Sequence, residues 1–206
     1  LAASTPDEIA RPTPGTVLEL IWGGLSEHEQ QTMCALAALP GGLSDDDLDL
    51  VGSWAAAEPF LMTNLRRLGL ATATESGTGL PEWTRRLITD HGRADNAVLV
   101  RYVERYGPHI PRVDVDLEAM AFSDWPELPD ADCDWLNRHI ANLFAAGRIL
   151  TDDHVDRLAS SAATAPQVLY RHWQTLSAFL DLLPPRAGAH VVFRSGDFAR
   201  SSHRYD

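Results

Sequence analysis

The sequence predicts a mainly α-helical protein with one small β-hairpin. Apolar residues recur at helical spacing in successive segments, and Pro and Gly residues separate those segments. The stretch LGLATATESGTGL, residues 68–80, instead predicts two short strands around a Gly-rich turn. The chain has 206 residues and is 45% hydrophobic, which suffices for the cores of one or two domains.

The N-terminal residues 1–15 are predicted to form a linker. Three prolines and small polar residues leave no apolar period there, so an extended strip is expected. A first domain is predicted over residues 16–92, and residues 16–25 begin its first helix.

A helix, a break and a second helix start are predicted next. Ser26 can cap a helix, with Glu29 as its capping-box partner. Pro-Gly-Gly at residues 40–42 ends that helix. Ser44 and the three aspartates after it predict a new helix, because acidic side chains stabilise the positive end of a helix. Four apolar residues of the first of these helices fall on helical spacing: Met33, Leu36, Ala37 and Leu39.

The rest of the first domain completes a known order of elements. A third helix is predicted over residues 58–68. Strands at 70–74 and Leu80 enclose a turn at 77–79, and residues 82–91 return to helix. Three helices followed by a hairpin are the order of a winged helix, which is therefore the predicted fold of this domain.

Residues 93–206 are predicted to form a second, helical region. Its first helix spans 95–106 and ends at Gly107-Pro108. Residues 109–132 contain prolines and many acids, and they predict a loop with one short helical turn near 117–122. The buried face of the first helix is predicted to consist of Val98, Leu99, Tyr102, Val103 and Tyr106.

Three longer helices are predicted after this loop. They span 132–150, 151–163 and 166–183, and Pro184-Pro185 ends the last of them. In the first, one apolar stripe is formed by Leu136, Ile140, Leu143 and Gly147. In the last, the predicted buried residues are Val168, Leu169, Trp173, Leu176, Phe179, Leu180 and Leu183. Large aromatic residues on successive helices are predicted core: Trp135, Phe144, Trp173 and Phe179.

Two motifs, found in the same order as in a known family, carry a resemblance. The first consists of Leu25-Ser26, Glu29-Gln30 and the run LAALPGGL at 36–43, followed by leucines 61, 65, 68 and 70. The second is WLNRHIANLFAA at 135–146. Together they resemble the winged helix and following helices of STAND (NB-ARC-type) ATPase regulators, which include nucleotide-switched transcription activators of high-GC bacteria. The matching residues of the second motif are Trp135, Leu136, His139, Asn142, Leu143, Ala145 and Ala146.

The resemblance implies a non-catalytic regulatory fragment. In that family the winged helix is a lever between a nucleotide-switch ATPase core and a sensor of tetratricopeptide (TPR) repeats. The implied partners are proteins, namely the ATPase core and other subunits, with a small-molecule effector as a further candidate. Family members often carry an "L-H-(D/E)" sequence after the second wing strand, whose histidine touches bound nucleotide. Here that sequence is Leu80-Pro81-Glu82, so nucleotide sensing is not carried over to this position.

The C-terminal segment, AHVVFRSGDFARSSHRYD, resembles the middle of a TPR. Ala189 takes the small position on the first helix of the repeat, residues 196–199 the turn, and Tyr205 the later aromatic position. Half a repeat would leave an apolar face for the next repeat to cover. That face is predicted to include Val191, Val192 and Phe198.

Charge and composition argue against nucleic acid and ATP as ligands of this chain. The net charge is −12, and residues 16–92 contain four arginines against eleven acids. Such a field repels the duplex from a recognition helix at 59–68. All 17 basic residues are arginine, whereas a P-loop requires a lysine. The catalytic core of a STAND parent is therefore expected N-terminal to this fragment. The candidate base readers on the recognition helix are Thr63, Asn64, Arg66 and Arg67.

Two acidic clusters raise metal binding as an alternative. Asp114 and Asp116 alternate in the predicted loop, but a solvated acidic loop explains them better. The second cluster consists of Asp152, Asp153, His154 and Asp156. Helix capping explains these residues better than a metal site does. The sequence also contains no local Ser-His-Asp or Cys-His set. We therefore predict no catalytic, cofactor-binding or metal-binding residue.

Cys34 and Cys133 are the two cysteines, and each lies in a helical pattern. They predict buried thiols in a reducing cytoplasm and not a disulfide. No signal peptide or membrane-spanning apolar run is visible, which also favours a cytoplasmic protein. Three functions stay open: the regulatory fragment, a stand-alone helical-repeat interaction scaffold, and a DNA-binding winged-helix regulator. An upstream P-loop ATPase would favour the first, and salt-dependent DNA binding the third.

Overall fold

The computed structural model describes residues 14–54, 58, 60–90, 92–114 and 126–202. Within these ranges the chain is mostly helical, and its two strands pair in one small sheet. The prediction of a mainly α protein with a hairpin is therefore confirmed. Of the predicted linker, residues 1–13 lie outside the described residues. Helix α1, Pro14–Gly23, begins two residues earlier than predicted.

Helix α2, Glu27–Ala38, begins at the predicted capping box. Ser26 Oγ accepts a hydrogen bond from the Glu29 backbone N at 3.2 Å, and Glu29 Oε2 accepts one from the Ser26 N at 2.8 Å. The helix ends at the predicted break, where Gly42 adopts a φ of +86°. Few residues other than glycine adopt this conformation, so Gly42 sets the direction in which the chain leaves α2.

The second predicted helix is a 3-10 helix, Asp45–Leu50, and not an α-helix. Ser44 caps it as expected, with its side chain accepting from the Asp46 N. Four of its six residues are aspartates, which are poor α-helix formers. Helix α3 is also shorter than predicted, because it spans only Leu61–Arg67.

The hairpin is present, but its turn is not where the glycines predicted it. Strand β1, Thr72–Thr74, pairs antiparallel with β2, Gly77–Gly79, and the turn consists of Glu75 and Ser76. A Cβ on Gly77 would lie 2.3 Å from the Leu43 carbonyl oxygen. Glycine is therefore needed inside β2, because the chain at Leu43 pairs with Thr78 in an extra bridge.

The next elements follow the predicted order. They are α4, Glu82–Asp90; α5, Ala97–Tyr106; the 3-10 turn Gly107–His109; α6, Asp130–Ala146; and α7, Asp152–Thr164. The predicted helical turn at 117–122 lies outside the described residues. Gly147 does not belong to the apolar stripe of α6. It ends the helix with a φ of +45° and opens a 3-10 turn, Gly147–Ile149.

The predicted helix over 166–183 is two helices, α8 (Pro166–Arg171) and α9 (Trp173–Leu180). His172 separates them with a non-helical backbone. The break lets α8 pack on the last helix while α9 packs on α6. Trp173 lies at this break and is 48% exposed, so its prediction as core is wrong.

The last element, α10, is one continuous helix, Pro185–Ser202. The TPR turn predicted at 196–199 is therefore wrong, because these residues lie inside the helix. Pro185 begins this helix, a position that suits proline because the first helical turn needs no N–H partner. The predicted apolar face is also divided: Val191 is fully buried, whereas Val192 is 40% exposed.

One apolar cluster extends from α2 to α10. Helix α6 lies at its centre and packs against α5, α8 and α9. Phe144 of α6 and Phe179 of α9 are buried and stack with ring centroids 4.6 Å apart. The cluster crosses the predicted domain boundary between residues 92 and 93, and that boundary stays a prediction. In the ranges that the structure describes, no helix has both the length and the apolar character needed to span a membrane.

Candidate functional site

The first feature of the site is a buried clamp formed by Asn142 of α6. Its side-chain oxygen accepts a hydrogen bond from the Gly41 N at 2.7 Å, and its amide nitrogen donates to the Gly42 carbonyl oxygen at 2.8 Å. Asn142 is fully buried, so water does not compete for these groups. A single amide therefore ties the Pro-Gly-Gly turn to the central helix.

The hairpin joins the same unit through two hydroxyl groups. Ser76, in the hairpin turn, donates to the Arg138 carbonyl oxygen of α6 at 2.7 Å. Thr74 donates to the Gly41 carbonyl oxygen at 3.2 Å. The Pro-Gly-Gly turn, the hairpin and α6 are thus connected pairwise by hydrogen bonds.

An aromatic cluster lies on one side of this junction. The Tyr102 hydroxyl hydrogen-bonds to His139 Nδ1 at 2.8 Å, and the Tyr106 hydroxyl donates to Asp47 at 2.6 Å. The His139 ring lies 4.2 Å from that of Tyr106 and 4.6 Å from that of Trp135, centroid to centroid. Burial lowers the pKa of His139 to about 4. This histidine is therefore a neutral packing residue near neutral pH.

Arg105 connects the 3-10 helix to α5. It donates to Asp47 at 3.0 Å and to Asp49 at 2.9 Å. The hydrogen bond from Arg105 is the main cause that lowers the pKa of the Asp49 carboxyl. The acidic segment that predicted a helix start is thus also held by one arginine of a neighbouring helix.

Two cavities of about 580 Å³ each flank the turn of the hairpin. The second cavity lies on the side of the aromatic cluster, and its acids and rings include Asp46, Asp47, Tyr106 and Trp135. The first cavity lies on the opposite side, between the Pro-Gly-Gly turn, α4, α6 and the α8–α9 break. Its polar lining includes Arg85, Asn137, Arg171, His172, Gln174 and Thr175.

The polar lining of the first cavity is incompletely hydrogen-bonded. Arg85 donates from one terminal nitrogen to the carbonyl oxygens of Pro40 and Leu80, each at 3.2 Å. Arg85 Nε, Asn137 Oδ1 and His172 Nε2 are buried and have no hydrogen-bond partner among the described residues. Burial is the main cause that lowers the pKa of His172.

The candidate DNA-reading residues are not gathered on one free surface. Arg66 donates Nε to the Thr78 hydroxyl at 2.9 Å and pairs with Asp45 at 3.2 Å, so it holds the hairpin against the 3-10 helix. Asn64 is half-buried, whereas Thr63 and Arg67 are exposed. Arg66 is therefore a structural residue.

Three of the residues weighed as metal ligands or sensors, His154, Asp153 and Glu82, have structural contacts. Thr151 and His154 form a capping box at the start of α7, and Asp153 pairs with Arg157 at 3.2 Å. Glu82, of the Leu80-Pro81-Glu82 sequence, pairs with Arg85 at 3.2 Å. Asp116 lies outside the described residues. Among the residues that are described, no group of His, Cys, Asp and Glu is arranged to hold a metal ion.

The two cysteines are free and partly buried in the structure. Burial is the main cause that raises the pKa of both Cys34 and Cys133 above the usual thiol range. A raised pKa disfavours the thiolate, which is the reactive form. The cysteines are therefore free thiols, as predicted, but both are only partly buried and not fully buried.

Sequence reasoning missed the first cavity entirely. Its residues come from several distant segments, and the motifs at 36–43 and 135–146, which supply some of them, do not indicate that these segments meet. Asn142 belongs to the second motif, but its partners lie 100 and 101 residues away in sequence. The two arginines, the histidine and the amides of its lining give no local signal, because such residues are common on protein surfaces.

Comparison with known proteins assigns the chain to no family. No protein-family model, curated protein or solved structure matches it.

Proposed function

We propose that the chain is a non-catalytic regulatory module, in which a winged helix passes a conformational change to a helical sensor region. In this proposal it works in a STAND-type regulator, between a nucleotide-switch ATPase core and a TPR-type sensor. The observation that carries the proposal is the Asn142 clamp. It connects the Pro-Gly-Gly turn, which lies against the hairpin, to the most central helix of the sensor region.

The order of elements in the first domain supports a winged helix. Helix α2, the 3-10 helix, α3 and the hairpin follow one another, and Leu43 pairs with Thr78 beside β2. Arg66 fastens the 3-10 helix and the hairpin together. A domain held in this way moves as a unit, which is what a lever requires.

The clamp is the physical basis of the relay, by which we mean the passing of a conformational change from the winged helix to the helical region. If the hairpin and the Pro-Gly-Gly turn move, α6 must follow or two buried hydrogen bonds must break. Leaving a buried polar group unpaired costs about 1–3 kcal/mol, which is comparable to the 1–3 kcal/mol typical of coupling between sites. Because α6 packs against α5, α8 and α9, its displacement would reach most of the helical region.

The full-length protein tests this proposal. We expect its reading frame to encode a P-loop ATPase N-terminal to the present residues. In that protein, Asn142→Leu should alter the dependence of nucleotide turnover on the sensor, whereas Asn96→Ala should not. Asn96 is exposed and its side chain makes no capping bond, so it is a matched control. A reading frame without a nucleotide-binding domain would overturn the proposal.

A helical interaction scaffold is the second candidate, because apolar side chains are exposed on the C-terminal helices. Tyr170 is 45%, Trp173 48% and Phe193 40% exposed. Sedimentation velocity over a range of concentrations tests this function. Self-association that Trp173→Ser abolishes would favour the scaffold, whereas a monomer at all concentrations would disfavour it.

DNA binding is the least supported function. Arg66 is engaged by Thr78 and Asp45, and the chain has a net charge of −12. We therefore expect no salt-dependent affinity for duplex DNA. Electrophoretic mobility shifts at low and at physiological salt would measure it, and binding at low salt that weakens steeply with added salt would contradict the expectation.

A further inference from the structure

Asp47 has one carboxylate oxygen that no described protein group satisfies. Arg105 donates to Asp47 Oδ1 at 3.0 Å, and the Tyr106 hydroxyl donates to the same atom at 2.6 Å. Asp47 Oδ2 has no hydrogen-bond partner among the described residues, and it keeps some accessible surface. The residue is only 9% exposed and lines the second cavity, so a molecule in that cavity can reach this oxygen. Since buried polar atoms are hydrogen-bonded in the great majority of cases, the open oxygen indicates a ligand that donates a hydrogen bond.

The charges around this oxygen favour a cation as that ligand. Arg105 is shared between Asp47 and Asp49, so one positive charge serves two carboxylates. Asp46 also lines the cavity, is exposed and forms no ion pair within the described part of the chain. The 3-10 helix therefore presents more negative charge to the cavity than its neighbouring arginine offsets.

The remaining charged groups of the lining do not reverse this sign. Glu75 is a third acid of the cavity, and it pairs with Arg171 at 3.9 Å. Arg138 is the one arginine among the described lining residues, and it is exposed. His139 is neutral near neutral pH, because burial lowers its pKa to about 4. Three carboxylates and one arginine thus line the cavity.

Aromatic rings form another part of the lining. The His139 ring lies 4.2 Å from that of Tyr106 and 4.6 Å from that of Trp135, centroid to centroid, and all three residues line the cavity. Trp135 is half-buried, so part of its indole is accessible. An aromatic face attracts a nearby cation and packs well against apolar and aromatic groups. The cavity therefore combines open carboxylate oxygens with an aromatic surface.

We propose that the second cavity binds a small organic amine with an apolar or aromatic body. The ammonium N–H donates to Asp47 Oδ2 and lies near Asp46, while the body packs against Trp135. A hydrogen bond between an ammonium and a carboxylate is among the stronger ones, so it fixes which end of the ligand enters. The volume of about 580 Å³ is within the range of small-molecule sites.

Such a ligand would contact two sides of the junction at once. Asp46 and Asp47 belong to the 3-10 helix Asp45–Leu50, whereas Trp135 belongs to α6. Binding would therefore stabilise the contact between the 3-10 helix and α6. The inference requires only this cavity and goes beyond the relay described above, so a failure of either leaves the other standing.

Isothermal titration calorimetry on the 206-residue chain tests the site at neutral pH and constant ionic strength. The probes are 2-phenylethylamine, 2-phenylethanol and 3-phenylpropionate, which share a phenyl ring and end in a positive, a neutral and a negative group. We expect saturable binding of one molecule of 2-phenylethylamine per chain. Binding of 2-phenylethanol should be about tenfold weaker, because it lacks the charged hydrogen bond, and 3-phenylpropionate should be repelled. Binding of either other probe as tight as that of 2-phenylethylamine would overturn the preference for a cation.

Asp47→Asn tests the open oxygen itself. The amide keeps one oxygen for Arg105 and Tyr106 but replaces the other with an NH₂ group, which cannot accept a hydrogen bond. We expect binding of 2-phenylethylamine to weaken at least about tenfold. Unchanged affinity in this variant would overturn the role given to Asp47.

Three further variants separate a built site from general charge attraction. Asp46→Asn should weaken binding of 2-phenylethylamine about threefold, as expected for an exposed ion pair. Arg138→Gln should tighten it about threefold, because a like charge is removed from the lining. Asp134→Asn is the matched control, since Asp134 directly precedes Trp135, is exposed and does not line the cavity.

The gain expected for Arg138→Gln protects the test from misfolding, because a damaged fold does not increase affinity. Absence of saturable binding at millimolar 2-phenylethylamine would overturn the proposal. So would an Asp134→Asn effect equal to that of Asp46→Asn, since that result would show attraction to surface charge only.

Discussion

Replacing Asn142 with leucine is the most direct perturbation of the junction. Leucine has the same branched side-chain skeleton but no polar atoms, so it removes both hydrogen bonds to the Pro-Gly-Gly turn. In the wild type, the Asn142 side chain lies 2.7 Å from the Gly41 N and 2.8 Å from the Gly42 carbonyl oxygen. The variant removes both of these hydrogen-bond partners. Water can replace the lost partner more readily at Gly41, which is half-buried, than at Gly42, which is buried.

The expected loss of stability follows from these two backbone groups, which are left without a hydrogen-bond partner. Each buried polar group left unpaired costs about 1–3 kcal/mol. Leucine recovers a part of the loss through its apolar surface, so we expect the free energy of unfolding to fall by about 3 kcal/mol in total. For a chain of this size, that corresponds to a decrease in Tm of about 6–12 °C.

Urea unfolding followed by far-UV circular dichroism measures this change, provided that the m-value is unaltered. Asn96→Ala is the matched control, because it removes an asparagine that is exposed and makes no capping bond. The control should stay within about 0.5 kcal/mol of the wild type. If Asn142→Leu also stays within that limit, the clamp does not hold the junction and the argument for the relay is refuted.

Three further predictions concern the fold and its response to pH. Gly42→Ala should destabilise by about 2–3 kcal/mol in urea unfolding, because φ is +86° and the new Cβ would lie 2.7 Å from the Thr78 carbonyl oxygen; an unchanged midpoint would contradict this. Gly196→Ala should instead raise stability by about 0.5–1 kcal/mol, since this glycine lies inside α10 with nothing within 4 Å of the new Cβ; destabilisation would favour a turn at this position. The pKa of His139 is lowered from 6.5 to about 4, so the unfolded state binds more protons between these values and stability falls as pH drops through this window. His139→Gln should lose less stability than the wild type between neutral pH and about pH 5, and equal losses would show that His139 does not contribute.

Several features of the fold were determined by local sequence. Two capping boxes satisfy backbone groups within a single helical turn, namely Ser26 with Glu29 and Thr151 with His154. The starts of α2 and α7 therefore follow from a few adjacent residues. The apolar spacing of α6 likewise predicts its buried stripe correctly at three of four positions, namely Leu136, Ile140 and Leu143. Only residues that are near in sequence enter these predictions.

Tertiary structure decided the features whose causes lie far away in sequence. Strand β2 requires a glycine at 77 because the Leu43 backbone passes too close for a side chain there. The helix predicted over 166–183 breaks at His172 because its two halves pack on different helices. The first cavity and the Asn142 clamp likewise join segments up to 101 residues apart. Composition and spacing report which side chains can be buried, whereas packing alone determines which distant groups they meet.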